Sequence, residues 1–486
     1  MALLETVRAE RLAKIDALKE AGIDSYPART SRTHTVDEFL ANHDTLEKNS
    51  EQVTLAGRVM STREHGGSMF IDIFDGTKGQ CYLQSDKMAA AYDLFVATVD
   101  AGDIVEISGM AFKTKRGQPS LDVVAWRMLA KSLRPLPDEW FGIKDEDERF
   151  RKRYLDILLT KDLADRIRRR SKFWNAIRSF LLERDFVEVE TPVLETTTGG
   201  ADARPFDTHH NALDIDVYLR ISAGELWQKR LMVAGMPKTF EIGRIFRNEG
   251  ISPEHAQDYT QLEFYWAFAD YEKGMELVEE MYKYIAQETY GTLKFTIGKF
   301  EVDLAAPWER YDYAETIKKY TGIDITTADL KTVETKLAEL EVKFSTDGWN
   351  RSRAIDTLWK YCRKQIAGPG FLIGVPKELS PLAKSDPKHP DTTERFQPII
   401  AGSEVGNGYS ELNDPVDQAE RFAKQSALRE AGDDEAQMFD HEYVEALEYG
   451  MPPTCGFGTS ERLFSFLEGV SIREGQIFPL MRPRQD

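Results

Sequence analysis

The chain has 486 residues, of which 41% are hydrophobic and 30% are charged, and its formal net charge is -19. This length predicts two or three domains, and this composition excludes a disordered or fibrous protein. The acidic total argues against a nonspecific polyanion binder, although a local basic face can still hold nucleic acid. Because no apolar run approaches the ~20 residues of a membrane span, and no apolar signal block opens the chain, we expect a cytoplasmic protein.

The first part of the chain predicts a helical extension followed by a small β-barrel. Residues 1–50 form the extension, which begins with an amphipathic helix. Residues 51–132 hold five short strand-like segments and one helical insert, a pattern typical of a closed barrel of the oligonucleotide-binding (OB) type. Such barrels stack unpaired bases on aromatic side chains, and Phe70, Phe74 and Tyr82 are candidates. Phe70 and Phe74, four residues apart on one strand face, fit the barrel core equally well.

A second domain follows the barrel. The linker, residues 133–150, combines prolines with a cluster of acids and leads into a domain predicted to span residues 151–486. This domain opens with a basic helix whose strong apolar stripe predicts burial against another helix or a second subunit. The following strand is interrupted by Pro192, which favours an edge or interface position. Residues from about 311 to 365 predict a helical insertion near the surface.

Residues 240–265 predict a β-hairpin with a charged tip. Both halves alternate apolar with polar residues, the period of a half-buried strand, and the segment between them is rich in turn-forming and charged residues. Arg247 and Glu249 share one face at the mouth of this loop, where an arginine suits bidentate binding of phosphate or carboxylate. His255 on the loop is a candidate for the tail of a polyphosphate. Taken alone, the hairpin fits a surface ion pair equally well.

Three more strand segments are predicted to join the hairpin in one mixed sheet with helices outside: residues 371–383, 395–414 and 455–460. The last segment is rich in glycine and leads into a helix that begins near Arg462. The guanidinium of Arg462 can stack on a flat ring or meet a phosphate, although glycine followed by arginine at a helix start is a common pattern. With the barrel, these elements predict the α+β fold class.

Acidic side chains converge on this predicted sheet. Glu263 and Tyr265 share one face of the second hairpin strand, and Glu404 and Glu411 are interleaved with glycines that let a ligand approach the backbone. Carboxylates on a sheet floor are costly unless cations pair with them. The cations that fit are magnesium, which bridges phosphates, or a substrate ammonium group. Glu263, Tyr265 and Glu411 therefore predict a pocket for a cationic side chain.

These motifs together resemble the class II aminoacyl-tRNA synthetases and, among them, the lysyl-tRNA synthetases. The resemblance covers nearly the whole chain. It implies an N-terminal five-stranded OB-type barrel that binds the anticodon, and a catalytic domain built on an antiparallel sheet flanked by helices. The residues that carry it are Pro192 in motif 1, Phe246–Glu249 with His255 and Tyr259 in motif 2, Gly456–Arg462 in motif 3, and the segments 133–137, 199–206, 208–211 and 404–413.

The resemblance implies an ATP-dependent lysine–tRNA ligase that forms lysyl-adenylate and pyrophosphate, then transfers lysine to the 3′ end of its tRNA. The partners implied are ATP with Mg²⁺, L-lysine, tRNA and a second copy of the chain, which would meet the first through residues 171–192. The implied site residues fall into four groups. The implied catalytic residues are Arg247, Glu249, His255 and Arg462, and ATP would be bound by these four together with Tyr259 and Glu404, of which Glu404 would also hold the metal. Lysine would be bound by Gly200, Glu225, Arg247, Glu263, Tyr265, Asn407, Tyr409 and Glu411. The anticodon would be bound by Phe70 and Gln80.

Four features depart from the family pattern. Gln397 stands where the family usually has an acid, and motif 3 is one residue shorter than usual. The stretch Ile221–Glu225 carries one residue more than usual. Ala125 lies near the usual position of an anticodon-reading glutamate, for which Asp122 is a candidate substitute.

Two alternative functions stay open at this point. An aspartyl or asparaginyl ligase would share the barrel and the hairpin, but three acids around the side-chain pocket would repel an acidic substrate by several kcal/mol. The alternative from another class is a noncatalytic tRNA-binding paralogue. The two retained motif arginines count against it, because a protein that no longer bound ATP would not need them.

Overall fold

A computed structural model describes residues 2–137, 143–201, 203–248, 250, 252, 255–344, 349–430 and 436–484. The chain divides into two compact units, Met1–Leu159 and Thr160–Asp486. Among the residues described, no helix combines the length and the apolar character needed to cross a membrane.

The first unit is a closed five-stranded barrel with helices before, within and after it. The strands follow the order β1-β2-β3-β5-β4 around the barrel, and β1 closes it by pairing with β4. Its helices are α1 (Ala2–Glu20), α2 (Val36–Ala41), α3 (His43–Asn49), α4 (Ser85–Met88), α5 (Ala90–Thr98), α6 (Glu146–Arg151) and α7 (Arg153–Leu159), and its strands are β1 (Gln52–His65), β2 (Ser68–Phe74), β3 (Lys78–Gln84), β4 (Ile104–Lys113) and β5 (Pro119–Ala130).

Alternation along the barrel strands separates an apolar interior from an outer face. Leu55, Ile71, Ile73 and Leu83 are fully buried in one core cluster, as the two-residue period of a strand requires. Helix α2 begins with a capping box in which Thr35 is the N-cap, so its first turn has its backbone donors satisfied. The predicted closed barrel of five strands is confirmed.

The second unit is built on a large mixed sheet covered by helices. A short 3₁₀ turn spans Lys377–Leu379. The helices are α8 (Lys161–Leu182), α9 (Glu225–Val233), α10 (Tyr271–Tyr290), α11 (Tyr313–Thr321), α12 (Leu330–Glu339), α13 (Arg351–Arg363), α14 (Pro415–Glu430), α15 (His441–Glu448), α16 (Glu461–Leu467) and α17 (Ile472–Gly475). The strands are β6 (Val187–Glu188), β7 (Leu194–Glu195), β8 (Asp207–His210), β9 (Ile215–Leu219), β10 (Lys238–Phe246), β11 (Asp258–Ala267), β12 (Lys294–Ile297), β13 (Phe300–Asp303), β14 (Glu309–Asp312), β15 (Gly370–Ile373), β16 (Arg395–Ile400), β17 (Ser403–Glu404), β18 (Asn407–Ser410) and β19 (Thr454–Ser460).

In the main sheet the strands follow the order β14-β15-β16-β18-β19-β11-β10-β6, and β17 pairs with β16. The predicted hairpin is confirmed as β10 and β11, with Ile242 opposite Leu262. The pairs β6/β10 and β14/β15 are parallel and the other pairs are antiparallel, so the sheet is mixed, as predicted. Three helices, α11 to α13, lie in the chain between β14 and β15.

The two faces of the sheet differ in character. Leu262 and Phe264 of β11 belong to a core cluster with residues of α8 and α10, including Phe173 and Val278. The apolar stripe of α8 is therefore buried against α10 of the same chain, which is one of the two alternatives that the sequence left open. On the opposite face, Tyr265 belongs to a separate cluster with residues of α9 and α15. This second face carries the polar side chains described below.

Two strand predictions are wrong in detail. Residues 395–414, expected as one strand, form β16, β17 and β18, because Ala401 and Gly402 both take positive φ (49° and 75°) and fold the chain back on itself. Residues 371–383 form a strand only as far as Ile373, and a 3₁₀ turn follows. The result is that Glu404 lies directly opposite Ile399 on the neighbouring strand.

Candidate active site

A cavity of about 310 Å³ opens on the polar face of the sheet. The elements that line it are β11, β18 and β19, with the N-terminus of α9 and the end of β10. All the residues expected to bind lysine line this cavity, although they are spread over more than 200 positions of the chain: Gly200, Glu225, Arg247, Glu263, Tyr265, Asn407, Tyr409 and Glu411.

The glycines of β19 make room for these side chains. Gly456 lies opposite Tyr265 and Gly458 lies opposite Glu263 in the pairing with β11. A Cβ on Gly456 would collide with Glu411 Oε1 and would lie 2.6 Å from the Tyr265 ring. The first part of motif 3 is therefore a floor of bare backbone beneath the acidic side chains.

Glu263 is held in place by three donors. Its Oε1 accepts hydrogen bonds from the backbone N–H of Ala223 at 2.8 Å and from Gln261 Nε2 at 2.7 Å. Its Oε2 accepts a hydrogen bond of 2.9 Å from the hydroxyl of Tyr265. Burial, reinforced by the charge of Glu225, nevertheless raises the pKa of Glu263 to about 8. The carboxyl group is therefore fixed in orientation and takes up a proton near neutral pH.

The other two acids, Glu225 and Glu411, share one buried cation. Lys229 Nζ lies 2.6 Å from Glu225 Oε1 and 2.5 Å from Glu411 Oε2. The hydroxyl of Tyr409 also donates a hydrogen bond to Glu225 Oε1. Burial raises the pKa of Glu411, and burial together with Glu225 raises the pKa values of Tyr265 and Tyr409, so both phenols remain donors.

The extra residue in the stretch Ile221–Glu225 lies in the loop that precedes α9, which begins at Glu225. Gly224 is the N-cap of α9 with φ 78°, and a Cβ there would collide with Thr191, so glycine is required on both counts. Glu225 still lies next to Gly200, whose Cβ position would be 2.7 Å from Glu225 Cβ. The extra residue in this stretch therefore does not remove the Glu225 carboxylate from the cavity wall.

A second cavity of about 260 Å³ has four lining residues in common with the first: Arg247, Gln261, Asn407 and Gly458. It contains the residues expected to bind ATP that the structure describes: Arg247, His255, Tyr259, Glu404 and Arg462. Glu249, also expected there, lies outside the described residues. Because Arg247 lines both cavities, it lies where the two cavities join.

The cations of this second cavity are anchored to neighbouring groups. Arg247 Nε donates a hydrogen bond to the carbonyl of Ile221, and its guanidinium lies 5.8 Å from the centre of the Tyr259 ring. Arg462 Nη2 donates a hydrogen bond of 2.6 Å to Ser403 Oγ. Although motif 3 is one residue short, it places Arg462 in the same cavity as Tyr259.

The chain matches known proteins over its whole length. Residues 145–482 match the family model of class II tRNA synthetases (D, K and N), and residues 53–135 match that of the OB-fold nucleic acid binding domain. The lysine–tRNA ligase of Fervidobacterium nodosum is 45% identical over 491 residues, which cover 100% of this chain and 96% of that protein. Those of Moorella thermoacetica (44% over 487 residues, 98% of each chain) and Thermotoga maritima (42% over 495 residues, 99% and 97%) are also similar.

This chain belongs to the lysine–tRNA ligase family of class II tRNA synthetases. The resemblance drawn from the motifs is thereby confirmed, and so is the α+β fold that it implied. The family model for the larger part ends at residue 482 and so includes the shortened motif 3.

Enzymes of this family use ATP together with Mg²⁺, and Glu404 offers a carboxylate to such an ion. Glu404 accepts a hydrogen bond from Trp359 Nε1 of α13, and Gln397 lies in the same cavity. One carboxylate and an amide oxygen fit Mg²⁺, which commonly binds through one or two carboxylates and the phosphates of its nucleotide. Among the described side chains, a ready-made group of three metal ligands occurs at His43, Asp44 and Glu47, and not at Glu404.

In the family's anticodon-binding barrel, the outer face carries a strip of aromatic rings. Phe70 stacks on Tyr82 with ring centres 4.5 Å apart, and Tyr82 lies 5.9 Å from Phe112. Phe70 and Phe74 are half-buried and lie outside the core cluster, which settles the alternative that the sequence left open. Gln80, on the same side of β3 as Tyr82, accepts a hydrogen bond from Ser120.

The barrel offers one candidate substitute, Asp122, for the missing anticodon-reading acid. Asp122 lies opposite Tyr82 in the β3/β5 pairing, but its carboxylate forms an ion pair with Lys87. Ala125 is exposed and pairs with Ser108 of β4. Asp122 is thus close to the aromatic strip while already holding a cation.

Sequence reasoning missed three residues of the site: Gln261, Arg395 and Lys229. Gln261 could have been found, because it has the same parity on β11 as Glu263 and Tyr265. Arg395 donates to Asn407 Oδ1 at 2.8 Å, and only the pairing of β16 with β18 reveals this contact. Lys229 follows Glu225 by four residues, a spacing that on a helix usually indicates a surface ion pair.

Proposed function

We propose that this chain activates L-lysine with ATP, forming lysyl-adenylate and pyrophosphate, and then transfers the lysyl group to the 3′ end of its tRNA. The observation that carries the proposal is the first cavity, in which three carboxylates are each no more than 5% exposed. Buried carboxylates require cations, and a long aliphatic side chain that ends in an ammonium group supplies one at the required depth.

Each end of the amino acid has a candidate partner. Glu263, Tyr265 and Glu411 surround the position of the ε-ammonium group, and Tyr409 lines the methylene groups. Glu225 and the backbone at Gly200 face the α-ammonium group. The substrate carboxylate is directed towards Arg247 and Asn407, both of which line the ATP cavity as well.

In the nucleotide cavity, Tyr259 and Arg462 are proposed to hold the two faces of the adenine ring, His255 the terminal phosphates and Glu249 the adenine edge. A guanidinium stacks well on a flat ring. Glu404, with Gln397 nearby, would hold Mg²⁺, which neutralises charge on the phosphate oxygens when it is bound.

The activation step follows from the position of Arg247. A carboxylate oxygen of lysine attacks the α-phosphorus in line, the new oxygen–phosphorus bond forms, and the bond to pyrophosphate breaks. Negative charge increases on the phosphoryl oxygens at that moment, and a guanidinium already fixed beside them lowers the barrier without reorganisation. The substrate itself is the nucleophile, so a nucleophilic protein side chain is not required.

The second step and the partners rest on the family and on two surfaces. The aromatic strip of the barrel, with Phe70 and Gln80, is proposed to stack and read anticodon bases. A homodimer is proposed through the segment that ends motif 1, where Val187, Val193 and Leu194 are 43–49% exposed. Transfer of lysine to tRNA serves protein synthesis, and a cytoplasmic location is proposed on that basis.

The test is lysine-dependent exchange of pyrophosphate into ATP, with each of the twenty amino acids supplied in turn. We expect exchange with lysine and at most weak exchange with aspartate and asparagine, because the three acids repel the carboxylate of aspartate and the neutral amide of asparagine brings them no cation. Exchange with another amino acid and none with lysine would refute the assignment of the substrate. The absence of exchange with any amino acid would favour the noncatalytic paralogue.

A further inference from the structure

Lys229 is a fully buried cation directly behind the wall of the lysine cavity. Its side chain is 1% exposed, and it extends from α9 between Glu225 and Glu411. Three aromatic rings surround its ammonium group, with centres 5.4–5.9 Å from Nζ: Tyr265, Tyr409 and Tyr443. Burial opposes the charged form, but the two carboxylates outweigh it and raise the pKa of Lys229. The protein thus holds one permanent positive charge at the bottom of its acidic cavity.

The contacts divide the oxygens of the two carboxylates into two sets. Lys229 meets Glu225 through Oε1 and Glu411 through Oε2. The other oxygens, Glu225 Oε2 and Glu411 Oε1, are directed at Gly200 and Gly456, which line the cavity. Each carboxylate therefore has one oxygen occupied by the protein's own cation and one oxygen turned towards the ligand.

The charges of the three acids and of Lys229 determine which amino acid can neutralise the cavity. Glu225, Glu263 and Glu411 carry three negative charges when ionised, and Lys229 offsets one of them. Arg395 also lines the cavity, but its guanidinium donates to Asn407, the Leu379 carbonyl and Ser380 and not to these acids. Two negative charges remain, and an uncompensated buried charge is costly. Lysine brings two ammonium groups, and its carboxylate is directed at Arg247. An amino acid with a single ammonium group leaves one buried carboxylate without a cation.

We infer that Lys229 is a positioning residue that turns Glu225 and Glu411 towards the cavity and sets its charge so that an amino acid with two ammonium groups restores neutrality. The inference rests on the proposed function, since lysine is the substrate it explains. Lys229 does not line the cavity and does not touch the reacting atoms.

The alternative is a purely structural ion pair, and buried ion pairs are weak evidence for stability. The contact with Glu411 Oε2 is an ion pair without the alignment of a hydrogen bond, so its value lies in charge more than in directed bonding. A structural role predicts a loss of folding or of all activities together. A positioning role predicts a loss confined to lysine binding.

The experiment compares Lys229→Met, which removes the charge, with Lys229→Arg, which keeps it. In pyrophosphate exchange, we expect the KM for lysine to rise about 10- to 100-fold in the Met variant, the range for a hydrogen bond to a charged group. The KM for ATP should change less than about twofold, and the Arg variant should recover most of the affinity for lysine. If the Met variant does not fold, Lys229→Gln, which keeps a donor, carries the same expectation.

Two further readouts separate charge from structure. In an enzyme that already carries Glu411→Gln, adding Lys229→Met should change the KM for lysine much less than it does in the wild type, because the shared partner is gone.

Charged and titratable groups face Lys229 from four places: Glu225 on α9, Glu263 and Tyr265 on β11, Tyr409 and Glu411 at β18, and Tyr443 on α15. Without the cation these acids hold their protons more tightly, so lysine binding in Lys229→Met should improve only at higher pH.

The results that overturn the inference are distinct from those that overturn the function. A Met variant with the wild-type KM for lysine, or with equal losses for lysine and ATP, would show that Lys229 does not set the lysine site. Wild-type enzyme that fails to exchange with lysine would instead refute the proposed function itself.

Discussion

Replacement of Glu263 by glutamine should separate the charge of this side chain from its shape. The amide keeps the size of the carboxyl group but removes the negative charge that faces the ε-ammonium group of lysine. Breaking a buried ion pair by removing one partner costs about 3–5 kcal/mol. Part of this is already offset in the wild type: burial and the charge of Glu225 raise the pKa of Glu263 to about 8, so ionising it at pH 7 costs on the order of 1 kcal/mol.

The expected net loss is therefore about 2–4 kcal/mol, or roughly a 30- to 900-fold rise in the KM for lysine at pH 7. The pH profile gives a sharper signature. Because lysine binds the ionised carboxyl group, the wild-type KM should fall as pH rises from 6 towards 8 and level off above it, by up to about tenfold per pH unit. Glu263→Gln should lack this slope.

The assay is lysine-dependent pyrophosphate exchange measured from pH 6 to pH 9, with the KM for ATP as the internal control. The pH profile of Glu263→Asp, which keeps the charge on a shorter side chain, is the matched comparison and should retain the slope. A Gln variant with a near-normal KM, or one whose KM keeps the wild-type pH slope, would refute the placement of the ε-ammonium group at Glu263.

Three further substitutions test the rest of the site. Arg247→Ala should lower the exchange rate about 10²- to 10³-fold, as for other fixed donors at a developing charge, and near-normal exchange would contradict its position between the two substrates. Gly456→Ala should raise the KM for lysine strongly and leave that for ATP little changed, because its Cβ would collide with Glu411 and lie against the Tyr265 ring. Phe70→Ala should weaken tRNA charging about 5- to 150-fold, the range for losing one stacked base, and should leave pyrophosphate exchange unchanged. Loss of both activities would instead mean that the ring is needed for folding.

Local patterns were sufficient for much of the fold. The two-residue period of residues 240–265 predicted the two strands that the structure shows as β10 and β11, and it put Glu263 and Tyr265 on one face. Residues 395–414 were harder, because the turn at Ala401 breaks a segment whose composition is otherwise typical of a strand. Ala401 takes a positive φ that its side chain disfavours, so of the two turn residues only Gly402 marked the turn in the sequence.

The site required contacts that only the folded sheet makes. Glu225 and Glu411 are distant in sequence, and they meet because β18 lies beside β19 and α9 packs against β11. Lys229 forms ion pairs with both acids, although its position four residues after Glu225 on a helix would usually indicate a solvent-exposed side chain. The resemblance to the family supplied the ligand set, whereas the structure shows what orients the carboxylates: Lys229 contacts Glu225 and Glu411, and three hydrogen-bond donors hold Glu263.

The most direct measurement is to identify the amino acid that the protein attaches to RNA. The protein is incubated with ATP, Mg²⁺, all twenty amino acids and total tRNA, the ester bond is hydrolysed, and the released amino acid is determined by mass spectrometry. The structure and the family predict lysine, released from a lysine-accepting tRNA. Release of a different amino acid, or recovery of uncharged tRNA alone, would contradict the central claim.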